Sequence, residues 1–270
     1  MSDNQQHETD EMTFAEHIEA LRPHLVRSAV AIVVLMIVAF CCKGFVVDTI
    51  LFGPISDWFP TNRLLAHLAD FSGMEYLAVK EQNFQLVNTS MAGQFNLHLS
   101  ISLATAFAVG FPYLLWEVWR FVKPALTPSE LGACHRFVGY VSLGFFVGLL
   151  FGYLMISPLT VAFLSQYQVS KEVVNMIDIS SYLSTILNVS LACAVVFQLP
   201  LLVYFLTRMS IVTPALLRHY RRHALVVLSL LAALITPPDA FSMVLVLLPL
   251  YLLYEFGIRI SGRTLKKLNQ

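Results

Sequence analysis

Six apolar runs constrain this chain more than anything else in it, at about 26–47, 95–116, 137–157, 182–207, 224–235 and 240–258. Most approach or exceed the roughly 20 residues that carry a helix across a hydrocarbon core about 30 Å thick. Inside lipid every backbone N–H and C=O has to be satisfied within its own segment, so helices are the form such runs take. The chain therefore reads as an all-α membrane protein with six transmembrane helices. Of its 270 residues 57% are hydrophobic and 13% charged, about half the charged share of an ordinary soluble domain. A formal net charge of zero gives no overall pull toward nucleic acid.

An even number of spans puts both ends of the chain on one side, and Lys and Arg choose the side. Thirteen of the seventeen fall in the opening segment, the second and fourth loops and the closing segment: Arg22, Arg27, Arg120, Lys123, Arg136, Arg208, Arg218, Arg221, Arg222, Arg259, Arg263, Lys266 and Lys267. Only Lys43, Arg63, Lys80 and Lys171 lie opposite. By the positive-inside rule both termini are expected in the cytoplasm. The first run is too long for the h-region of a cleavable signal and is expected to persist as a span. The expected organisation is a disordered cytoplasmic tail at 1–12, one six-helix membrane domain at 13–258 and a basic cytoplasmic tail at 259–270. A long outer loop at about 48–94, punctuated by Gly53-Pro54 and Phe59-Pro60, has room for short amphipathic helices. Spans five and six look short, and Pro112, Pro200 and Pro249 are expected to bend spans two, four and six.

The opening stretch EHIEALRPHLVRS lies directly against the first run. Thr13 to Glu16 fits a capping box, and Phe14, Ile18, Leu21 and Leu25 share one helical face. Pro23 should bend this helix and free the carbonyl of Glu19. Glu19 and Arg22 then form either a surface pair on an interfacial anchor or part of a ligand site. The second inner loop repeats the pattern in Thr127-Pro128-Ser129-Glu130, so Glu130 is a helix cap, a carboxylate open to a cationic ligand, or both. Gln198, inside span four, is either packing glue or a polar spot on a groove. Asp239 reads as a cap in a tight outer turn. Glu255 lies near the cytoplasmic end of span six, while His98 and Glu117 are expected to be solvated at span ends.

Catalytic patterns are missing. The chain holds no G-x-x-x-x-G-K-[ST], no H-E-x-x-H and no G-x-S-x-G. Cys41, Cys42, Cys134 and Cys193 have neither disulfide nor zinc spacing. No enzyme, cofactor or metal site is expected. Neither halves related by repeat nor ionisable groups at mid-membrane, the marks of a proton-coupled small-solute transporter, stand out. Transport of that kind and an inert membrane scaffold remain the competing readings.

The segments HIEALRPHL, FVKPALTPSE, ISPL with DISSYL, IVTPALLRHYRR, ITPPDAFS and LPLYLLYE occur in an order that resembles the TatC family, the polytopic core of the twin-arginine protein translocase. The resemblance covers about 14–257. It implies a receptor for signal peptides of folded cargo that carry two consecutive arginines. It also implies partnership with single-span TatA/TatB-type subunits, self-association in a larger complex, residence in the bacterial cytoplasmic (inner) membrane, and driving by the proton-motive force. Carried over residue by residue, it assigns signal-peptide binding to Glu19, Leu21, Arg22, Phe121, Pro124 and Glu130, and a span-four polar position to Gln198. Pro54 and Asp239 match outer-loop positions. The opening helix departs from the family's H-L-x-E-L-R, because Ala20 stands where its glutamate belongs and Glu19 comes one position earlier.

Overall fold

The computed structural model describes residues 14–56, 58–72, 85–123, 137–167, 170, 175–236 and 240–268. Span one is α1 (Phe14–Cys41), which passes through Pro23 and leads into a π-helical segment, Gly44–Leu51. A 3-10 turn (Gly53–Ile55), α2 (Pro60–Ser72) and β1 (Gln85–Val87) follow in the first outer loop. Span two is α3 (Gly93–Val122). Span three is built of α4 (Phe137–Phe151), a π-helical turn (Gly152–Ile156) and α5 (Ser157–Gln166). After β2 (Met176–Asp178), span four comprises α6 (Ile179–Val196) and α7 (Leu199–Arg208). The short α8 (Pro214–His219) precedes span five, α9 (Arg221–Ile235), and span six is α10 (Ala240–Leu268).

Five of these segments are long and apolar enough to cross a membrane, and α9, at 15 residues, completes the six. Span five is short, as expected. Span six is not: α10 runs for 29 residues and carries the helix through the basic closing segment to Leu268. Its extension has a packing reason. Ser261 buries its hydroxyl against that of Thr207 on α7 at 2.8 Å, and Gly257 lies against the Val203 side chain of α7. Pro112 and Pro249 lie inside continuous helices, whereas span four breaks at Phe197–Gln198 and restarts with Pro200 in the first turn of α7, where a missing N–H costs least.

The outer loop carries a short helix, α2, and one short strand pairing accompanies the helices. β1 and β2 pair in parallel, Gln85 with Met176 through Val87 with Asp178, tying the outer loop to the entry of span four. Two tyrosines finish span one. Tyr153 donates to the Ile50 carbonyl at 2.6 Å and Tyr182 to that of Leu51 at 2.8 Å, supplying the donors a helix end lacks in a dry environment. One buried cluster gathers Leu51, Ile101, Val161, Leu183 and Ile186 at this far end of the bundle. A second joins spans three, four, five and six through Ile156, Val189, Leu228, Ala232 and Val246.

Candidate functional site

The near end of the bundle is where α1 starts and α3 stops. These two antiparallel helices meet at three levels. At the far level the Phe40 ring stacks on His98 with centroids 3.9 Å apart. In the middle, Gly110 packs against α1, where an added methyl group would stand 2.9 Å from the Ile32 Cδ1 and 3.0 Å from a Leu35 Cδ. At the near level the contact is polar. His24 Nδ1 donates to Glu117 Oε2 at 2.6 Å, and the Tyr113 hydroxyl donates to Oε1 at 2.9 Å. Arg120 stands 3.7 Å from the same carboxylate.

Glu117 is only 2% exposed, which corrects the expectation of a solvated span-end residue. A carboxylate withdrawn from water has to be compensated by partners, and His24, Tyr113 and Arg120 supply three. His98 is likewise not solvated: its ring is stacked, and its Nε2 is buried without a partner among the described residues. The sequence did hold a signal for Glu117. Gly110, Tyr113, Glu117 and Phe121 are spaced i, i+3, i+7 and i+11 on one helical face, and that face carries the glycine of close approach.

The expected site residues distribute around this node. Glu19, Leu21 and Arg22 are exposed on the opening turns of α1, and Phe121 lies edge-on to the His24 ring at 6.2 Å. Pro124 and Glu130 fall outside the described residues, as do Thr13 and Asp239. Gln198 is partly buried at the break in span four. Its Nε2 donates to the Ala194 carbonyl at 3.2 Å, and its Oε1 is buried without a partner among the described residues, facing Gly144. Pro54 is buried, and its carbonyl accepts from Asn62 at 2.9 Å, a structural role in the outer loop. Glu255 accepts from Arg221 at 2.8 Å and joins spans five and six. No group of three or more metal-ligating side chains occurs among the described residues.

At 100° per residue, Glu19 lies about 140° around α1 from His24. On the other flank of α3 a cleft of about 210 Å³ is lined by Trp116, Trp119, Arg120, Lys123 and Val138.

A family model for Sec-independent protein translocase protein (TatC) matches residues 16–249. The chain belongs to the TatC family. It is similar to Sec-independent protein translocase protein TatC of Blattabacterium sp. subsp. Periplaneta americana (strain BPLAN), with 36% identity over 262 residues, 96% of this chain and 98% of that one. The TatC of Deinococcus radiodurans is 32% identical over 91% of this chain and 84% of its own length. A crystal structure of twin arginine translocase receptor TatC in DDM superposes with a TM-score of 0.71 at 28% identity, covering 91% of this chain and 99% of that one. A second TatC receptor structure gives 0.68 at 26% identity, covering 92% and 99%. The chain is thus a multi-pass membrane protein with the TatC fold, a subunit of the Sec-independent translocase and a transport protein instead of an enzyme.

Proposed function

We propose that this TatC-family subunit is the receptor for signal peptides with two consecutive arginines, and that it reads them where α1 begins beside the end of α3. The peptide's guanidinium groups meet Glu19 and Glu130, Leu21 and Phe121 border its apolar flank, and Arg22 and Pro124 belong to the same signal-peptide site. Both termini face the cytoplasm of a bacterial cell, and the membrane is its inner one. Single-span TatA/TatB-type subunits and further copies of the chain complete the complex, Gln198 offers a polar position on span four to one of them, and the proton-motive force drives transport.

The observation that carries this reading is the exposure of Glu19, Leu21 and Arg22 on the same end of the α1–α3 pair as Phe121. Planar guanidinium pairs with carboxylate through two parallel hydrogen bonds that an ammonium cannot reproduce. The apolar faces of α1 continue directly from this end, with Val30, Val33, Val34 and Ile37 exposed, so the greasy part of one peptide enters lipid beside the polar part. Site-specific photocrosslinking from positions 19, 121 and 130 to an arginine-pair peptide, with a lysine-pair control, tests it. Crosslinks from all three positions that weaken with the lysine peptide are expected. Equal labelling by both peptides, or solute uptake by the chain alone in liposomes, would replace this reading.

A further inference from the structure

We infer that Glu117 and His24 form a register pin between spans one and two, a pair of positioning residues that set the rotation and height of the opening turns of α1. The purpose assigned to the pin rests on the receptor reading; the pin itself rests on contacts within the chain. α1 has little else to hold it. Only 6% of its membrane window is buried inside the protein, and α3 is its principal neighbour. Between helices in lipid there is no hydrophobic driving force, because acyl chains are as apolar as leucine side chains. The contacts of Ile32 and Leu35 over Gly110, and of Phe40 on His98, are shape contacts that tolerate small slides and rotations.

A hydrogen-bonded pair does not tolerate them. His24 Nδ1 and Glu117 Oε2 are 2.6 Å apart, and a shift of one residue in register moves the partners about 1.5 Å along the axis and 100° around it. The carboxylate would then be left buried and short of a donor, which is the costly state. A single polar pair inside an apolar helix contact is the best-attested way in which buried charge selects one register over its neighbours. Tyr113 holds Oε1 from one turn earlier on α3, so the acceptor is oriented before His24 reaches it. Glu117 is fully engaged by the chain's own groups and 2% exposed, so it is assigned to holding α1 and not to touching the peptide.

The test uses the full chain in lipid nanodiscs with two readouts. Spin labels at Leu25 and Val118, both exposed on the outer faces of the two helices, report the distance between them. Affinity for an arginine-pair signal peptide, against its lysine-pair control, reports recognition. His24→Ala and Glu117→Gln are expected to broaden a narrow wild-type distance distribution and to lower arginine-pair affinity about ten-fold. The reversed pair, His24→Glu with Glu117→His, is expected to bring both readouts back to within about three-fold of wild type. Tyr113→Phe, a milder change, is expected to act in the same direction by a smaller factor and serves where a stronger variant does not accumulate. An unchanged distance distribution in the single variants overturns the pin. A reversed pair that restores distance but not affinity also overturns it as a positioning device, since Glu117 would then act on the peptide directly. Wild-type protein that binds both peptides alike while its distances respond as described removes the receptor reading and leaves the pin standing.

Discussion

Two acidic residues show how position decides what a carboxylate does. Glu19 is exposed and lies about 140° around α1 from His24, which meets α3 through Glu117. If Glu19 meets the peptide's guanidinium groups, Glu19→Ala should weaken arginine-pair binding about three- to five-fold more than Glu16→Ala, the scale of an exposed ion pair. Equal effects in a peptide titration would make the opening turns an interfacial anchor. Asp178 is a different case. It caps α6 by accepting from the Ser180 amide at 2.8 Å, and it takes the Thr89 hydroxyl at 2.7 Å and the Thr89 amide at 3.3 Å. Donation by Thr89, then by the Ser180 amide, holds its carboxyl down at about 2. A carboxyl depressed in the fold contributes fully above its unfolded value of about 4 and loses that contribution as pH falls through the folded one. Amide protection at β1–β2 and at the start of α6 should therefore be constant from pH 7 to about 5 and fall toward pH 2. Asp178→Asn should show reduced protection already at pH 7 and no such acid step; an acid step of the same size in that variant would assign it to another group.

Among the elements, spans three and four are held by absent side chains. A methyl group on Gly148 would stand 2.6 Å from the Phe197 Cβ and 2.7 Å from the Cys193 carbonyl, and one on Gly152 would stand 2.8 Å from the Ser190 Cα. Backbone cannot yield as a flexible side chain can. Gly152→Val is expected to cost about 2–3 kcal/mol through forced separation of the two spans. Gly139→Val, with nothing within 4 Å of its added carbon, should be close to neutral in the same thermal melt. A neutral Gly152→Val would mean that the spans are not so close. The existence of the spans was legible because a membrane demands long apolar runs whatever the tertiary packing. The π-helical end of span one was not legible: it depends on hydroxyls of Tyr153 and Tyr182, roughly 100 and 130 residues away in sequence. The pairing of three-residue strands at 85–87 and 176–178 was hidden for the same reason, since neither has a local pattern that names its partner. For the site, Phe121 was found through family resemblance, while Glu117 was misread because a carboxylate near a span end ordinarily meets water.

Across the whole molecule, the six spans differ in reach, and this bears on the bilayer around them. α9 is 15 residues, roughly 22 Å at 1.5 Å per residue, against a hydrocarbon core of about 30 Å. Its near end is fixed, because Arg221 donates to Glu255 on α10 and Tyr254 donates to the Leu217 carbonyl just before α9. That level lies six residues, about 9 Å, short of Ser261, where α10 meets Thr207 on α7. α9 cannot slide to meet a thicker bilayer without parting Arg221 from Glu255, and its face toward the surroundings is apolar, with Leu234 82% exposed. A bilayer in contact with α9 would have to adapt to the helix. Thinning beside α9 costs fractions of a kcal/mol per ångström of mismatch, and a thinner bilayer removes that cost. The chain should therefore melt several degrees higher in short-chain lipid bilayers than in long-chain ones of the same headgroup. Replacing Arg221, Glu255 and Tyr254 together by leucine, glutamine and phenylalanine frees the near end of α9 and should flatten the dependence. A melting temperature indifferent to chain length in the unaltered protein would mean that α9 is sheltered from lipid by another subunit or by a second copy of the chain.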